Sequence, residues 1–88
     1  MLFEWDDAKR DRTLQDRGLD FRDVVEIFDA PHVVIPARSE TEPRFAAIGM
    51  HRGHVIAVFF TPRGDAIRII TARRARRHER DHYHAHVP

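Results

Sequence analysis

Fifteen of the 88 side chains are basic and fourteen of those are arginine, whose planar fork grips a phosphate through two donors where lysine offers a point charge. They are unevenly spread. Residues 1–42 hold 11 acidic and 6 basic side chains and residues 43–88 hold 3 and 9, so the net charge of +1 conceals halves of minus five and plus six. A basic half of this kind is the electrostatic footprint of a polyanion site or of an acidic protein partner. Solvated surface charge is the plainer account of the same numbers. The candidate cations are Arg68 and Arg73, with the hydroxyl of Thr71 between them, then Arg44 and the only lysine, Lys9. Such groups stabilise charge developing on phosphoryl oxygens. Arg68 could instead pair with an acidic residue of the first helix, and Lys9 with a carboxylate one turn away.

Groups for proton transfer are harder to name. His51, His54, His78 and His82 have the right chemistry near neutral pH, but spacing singles out none of them, and Glu79 and Tyr83 are the remaining candidates. His78-Glu79-Arg80-Asp81-His82 matches the H-E-x-x-H pattern of zinc proteases. That chemistry needs a third ligand and a buried helix, whereas only six residues follow and the segment is strongly polar. Incidental metal binding by His78, His82 and His86, spaced i, i+4 and i+8, is the more reasonable expectation. The chain has no cysteine, which removes thiolate nucleophiles, disulfides and cysteine-based zinc sites together. No cofactor is implied.

The elements that must position these residues follow from periodicity and punctuation. Leu2 to Trp5 reads as a short strand, Asp6 as the cap of a charged surface helix over 7–17, and Gly18 as its end. Asp20 caps a second helix, whose Phe21, Val24, Val25 and Phe28 form one apolar stripe until Asp29-Ala30-Pro31 stops it. Four strands are predicted over His32–Arg38, Arg44–Met50, His54–Thr61 and Ala66–Thr71, joined by short turns at Arg52-Gly53 and at Pro62 to Asp65. Val55 to Phe60, apolar on both faces, should be the central strand. An exposed, charged helix from Arg74 to about His84 ends the series. The order is therefore β-α-α-β-β-β-β-α: an α+β domain spanning 1–88, with a small antiparallel sheet and its helices on one face. Strand alternation points Thr71 and Arg73 one way and Arg68 the other, unless the strand twists or bulges between them.

Four blocks stand in order along this chain: Phe3-Glu4-Trp5-Asp6 with Lys9; Gly18 to Phe21 with Phe28 to Pro31; Arg44 with Gly49; and Arg68-Ile69-Ile70-Thr71-Ala72-Arg73-Arg74-Ala75 with Glu79 and Tyr83. Together they resemble the BrnT family of toxins. The resemblance implies a RelE-like fold and a ribonuclease that arrests translation. It also implies neutralisation by a ribbon-helix-helix antitoxin of the BrnA kind, in a toxin–antitoxin heterotetramer that reaches operator DNA only through the antitoxin. The chain departs from the family's pattern in two places. Asp16-Arg17 stands where many members have Lys-His, so no histidine can be assigned there, and Thr71 replaces a serine while keeping the hydroxyl.

Metal-independent RNA cleavage is the expected activity, with Arg68, Arg73, Thr71, Lys9 and Arg44 as its site. The rival reading is a non-catalytic binding module that acts as co-repressor with its antitoxin, favoured by the missing histidine. A general nucleic-acid-binding domain fits less well, because Phe59, Phe60 and Tyr83 are the only candidates for base stacking and each could equally be core. The longest apolar run, Val55 to Phe60, is far short of a bilayer span, and Met1 is followed by no basic-then-apolar leader, so a cytoplasmic protein with no membrane partner is expected.

Overall fold

The computed structural model describes residues 1–88. β1 (Leu2–Glu4) leads into α1 (Asp7–Arg17) and then α2 (Phe21–Val24), which tightens into a 3-10 helix over Val25–Asp29. β2 (His32–Ala37), β3 (Arg44–His51), β4 (His54–Arg63) and β5 (Ala66–Arg74) follow, and α3 (Arg77–His86) closes the chain. The order is the expected one, and no helix is long and apolar enough to cross a membrane.

Tightening of the second helix changes which residues reach the core. Three residues per turn beyond Val24, instead of 3.6, bring Ile27 into line with Phe21 and Val24, and all three are fully buried. Val25 and Phe28, expected on the stripe, are only half-buried.

The sheet runs β1-β5-β4-β3-β2, with β4 at its centre as its two-sided apolarity requires. β2 to β5 form an antiparallel meander. The turn at Arg52-Gly53 has positive φ at both residues, 49° and 81°, the backbone twist that a two-residue hairpin demands and that glycine adopts without cost. β1 departs from the antiparallel expectation: it pairs in parallel with β5, Phe3 opposite Ile67, and makes the sheet mixed. No hairpin turn could bring these two strands together, since the rest of the fold lies between them.

Helices cover both faces, not one. Phe21, Val24 and Ile27 pack on one face with Ala47, Ile56, Val58, Phe60, Ile69 and Ala72. On the other face Tyr83 of α3 packs with Ala46, Ile48, Val55, Ala57 and Ala75. The polar composition of α3 conceals this docking, because one aromatic and one carboxylate, Tyr83 and Glu79, are all that it buries. β4 and β5 also run longer than expected, to Arg63 and Arg74, which places Arg73 within the last strand. Pro62 is tolerated because β4 has by then outrun β3, whose pairing stops at Phe60.

Two local contacts hold the N-terminal half on the sheet. A Cβ at Gly49 would stand 2.9 Å from the Ile27 Cβ, so the 3-10 helix lies closer to β3 than any side chain at that position allows. Asp20 accepts from the Arg22 amide as the cap of α2 and takes a two-pronged ion pair from Arg10, at 2.7 and 2.9 Å. The Arg10 hydrogen bond, then that amide, hold the Asp20 carboxyl down to about 2.

Gly49→Ala should therefore lower the unfolding free energy by about 1–3 kcal/mol, read as a lower urea midpoint at unchanged slope. Because the folded-state value of Asp20 lies below its ordinary 3.8, its contribution is complete above that value and is lost as pH falls toward 2. Asp20→Asn keeps the cap but not the ion pair, so its stability deficit, measured by urea unfolding at pH 6, should shrink when the measurement is repeated near pH 2.

Candidate functional site

Strict alternation would scatter the three groups expected on β5. Pairing with β4 shows how they are gathered: Thr61 faces Arg68, Phe59 faces Thr71 and Ala57 faces Arg73, while the shift between Phe59 and Phe60 leaves Ile70 without a partner. Residues 57, 59 and 61 lie on one side of β4. Arg68, Thr71 and Arg73 consequently share that side, and Ile67, Ile69 and Ala72 turn toward the other core. This is the face on which α3 packs, but α3 lies chiefly over β2 and β3.

Three adjoining hollows, of 160, 320 and 180 Å³, lie along β5, and Ile70 lines all of them. Arg44 reaches two hollows from the start of β3, and Lys9 reaches two from α1. α1 is within reach because β1 pairs with β5 only as far as Arg68, beyond which α1 takes over that flank. All five expected residues thus line one connected groove. Eight cationic side chains line it against the carboxylates of Asp6, Asp16 and Glu42.

Residues 5–79 match the family described as "Ribonuclease toxin, BrnT, of type II toxin-antitoxin system". The chain belongs to the BrnT family. The matched span includes Lys9, Arg44, Arg68, Thr71 and Arg73 and stops short of Tyr83. A search of curated proteins finds no match.

The cations of this BrnT groove fall into two groups. Arg68 donates to Glu4 of β1 at 2.8 Å, not to a residue of the first helix, and Arg44 donates to Glu42 at 3.1 Å. Arg73 is the most constrained: its two Nη atoms meet the two Glu79 carboxylate oxygens at 2.7 and 2.9 Å, and its guanidinium lies 4.9 Å over the Phe59 ring. Burial works to raise the Glu79 carboxyl, but the hydrogen bonds from Arg73 and from the Arg76 amide outweigh it and hold the group below its ordinary value. Lys9, Arg12, Arg17, Arg38 and Arg76 have no carboxylate within 4 Å and so form no direct ion pair. Lys9 therefore does not form the helical ion pair weighed above.

Arg12, Arg17, Arg38 and Arg76 were not anticipated as lining residues. Arg17 had a signal, since it occupies the place where many BrnT sequences carry histidine. Its Nη1 donates to Thr71 Oγ1 at 3.2 Å and to the Ala72 carbonyl at 3.0 Å, anchoring a cation where an imidazole was missing. None of the seven histidines lines the groove. His51 is buried and bonded to Glu26, and His54 sits beside Arg74. Glu79 and Tyr83, the other acid–base candidates, are buried and committed to packing. Burial of Glu79 also dismantles the H-E-x-x-H reading, since its carboxylate is engaged with Arg73 while His78 and His82 are exposed. Nor do His78, His82 and His86 come together as a metal-holding group.

The two carboxylate clasps should differ in strength. Glu79→Gln leaves Arg73 without its anion in a mostly buried position and should cost about 3 kcal/mol in thermal or urea unfolding. Glu4→Gln breaks a pair that is one-third exposed on both sides, at 32% and 37%, and should cost less than about 1 kcal/mol.

Proposed function

We propose that this chain is the toxin of a type II toxin–antitoxin pair: an endoribonuclease that arrests translation by cleaving RNA without a metal ion. The observation that carries the reading is the convergence of Lys9, Arg44, Arg68, Thr71 and Arg73 on one groove, with Arg17 added to them. Arg17 and Lys9, free of direct ion pairs, take the scissile phosphate, Arg44 and Arg68 contribute the donors that Glu42 and Glu4 leave free, and Thr71 holds Arg17 in place. The 2′-oxygen attacks the adjacent phosphorus, the bond to the 5′-oxygen breaks, and a 2′,3′-cyclic phosphate and a 5′-hydroxyl result. The Lys9 ammonium protonates the leaving 5′-oxygen, and the 2′-hydroxyl proton passes to water. Charge on the phosphoryl oxygens is matched by fixed guanidinium groups, the service a metal would otherwise supply.

The partner in this reading is a BrnA-like ribbon-helix-helix antitoxin, a dimer holding two toxins and contacting operator DNA itself. The toxin acts as one domain in the cytoplasm, and its fold falls in the RelE-like group. A second reading, a toxin-derived co-repressor without catalysis, is favoured by one observation: the groove contains no histidine.

Induction of this gene alone in a bacterial host should arrest growth, and purified protein should cleave RNA equally well in EDTA. Arg17→Ala and Lys9→Ala, folded and equally expressed, should each lower the cleavage rate by roughly 10²-fold. The rate should climb with pH from 6 to 8 without the bell shape of an imidazole pair. Loss of cleavage on chelation would overturn the mechanism, and harmless expression of the folded chain would favour the co-repressor.

A further inference from the structure

The largest of the three hollows, 320 Å³, differs in kind from its neighbours, because Phe59, Ile70 and Ala37 bring apolar surface into an otherwise cationic groove. Its fixed feature is a cation–π contact. The Arg73 guanidinium lies over the half-buried Phe59 ring, and both of its Nη atoms are held by Glu79. Glu79 is itself held by the Arg76 amide at 2.7 Å and is only 4% exposed, so the plane of Arg73 cannot swing to follow a ligand. Its charge is already matched, which makes Arg73 a poor phosphate anchor beside Arg17, Arg38 and Arg76, none of which has a carboxylate partner. What a rigid, neutralised guanidinium plane does offer is a flat face for stacking.

We propose that this hollow is a nucleobase subsite: one base of single-stranded RNA lies flat on the Arg73 guanidinium, which Phe59 supports from beneath, while Arg38 and Arg76 at the rim hold the flanking phosphates. This rests on the ribonuclease reading and adds where the strand is held. The stack selects an unpaired strand, because a base within a duplex has no free face to present. An acidic peptide could pair with Arg38 and Arg76 but would leave the Phe59–Arg73 pair unused.

The test uses the full chain and a non-cleavable, fully 2′-O-methylated oligoribonucleotide carrying 2-aminopurine at successive positions. Fluorescence should change on binding at one position and not at the others, and an abasic sugar at that position should weaken binding roughly tenfold or more. Phe59→Leu and Arg73→Lys, each verified as folded, should bind the abasic and intact strands alike. Uniform fluorescence with no abasic penalty in the wild type, while cleavable RNA is still cut, overturns the subsite and leaves the ribonuclease standing. An abasic penalty that persists in both variants also overturns it, because the base is then read elsewhere. If the wild type neither binds nor cuts RNA, the ribonuclease reading falls and takes the subsite with it.

Discussion

β5 has to serve two faces that make opposite demands, and a regular strand cannot satisfy both. Ile67 and Ile69 must meet the core beneath α2, and so must Ala72, which is three residues beyond Ile69 and so of the wrong parity. Arg68, Thr71 and Arg73 must meet the opposite side of the sheet, with the same conflict of parity. A single unpaired residue, Ile70, resolves both conflicts at once. It also fills the space it creates, since it is 9% exposed yet touches every part of the groove. The bulge is therefore what makes one short sequence block both a core strand and a cationic wall.

Concentrating so many cations carries an electrostatic cost, and the fold offsets it from three directions. Glu4 arrives on β1, Glu42 on the segment before β3, and Glu79 on α3, each beside a different arginine. Two of the three come from the acidic half of the chain, so the charge asymmetry of the sequence is partly consumed within the molecule. Glu79 does more than neutralise. It ties α3 to β5 while Tyr83 fills the core above β3, so the last helix and the groove share one anchor.

Much of the element order was legible because each signal was local. Asp6 and Asp20 cap helices where they stand, Gly53 fixes a hairpin, and the two-sided apolarity of β4 places it centrally. The misreadings involve contacts between distant residues or small changes of period. Parallel pairing of β1 depends on Phe3 and Glu4 meeting residues 64 positions away. The burial of Ile27 follows from a 3-10 period that no composition announces. α3 looked wholly exposed because its docking rests on one ring and one ion pair. The candidate site was legible as a set of residues, but not as a geometry: the alternation rule separated Arg68 from Thr71, and only the bulge reunites them. Arg17 was visible as a departure from the family's pattern, yet nothing local showed that it reaches Thr71.

That substitution bears on how such a groove would have to work. A positioned acid and base contribute typically 10²- to 10⁴-fold to a proton-transfer step, and a groove without imidazole forgoes part of that. What remains is electrostatic stabilisation by donors that do not reorganise during the reaction, and this depends on rigidity more than on charge. A free arginine on a surface helix loses much of its effect to solvent screening and side-chain entropy. Arg17 escapes part of that loss because Thr71 Oγ1 and the Ala72 carbonyl fix one end of its guanidinium. Thr71, in the place of the family's serine, is stiffer at χ1 than serine is. The two departures are therefore linked in space, an arginine in place of a histidine and a more rigid hydroxyl to hold it.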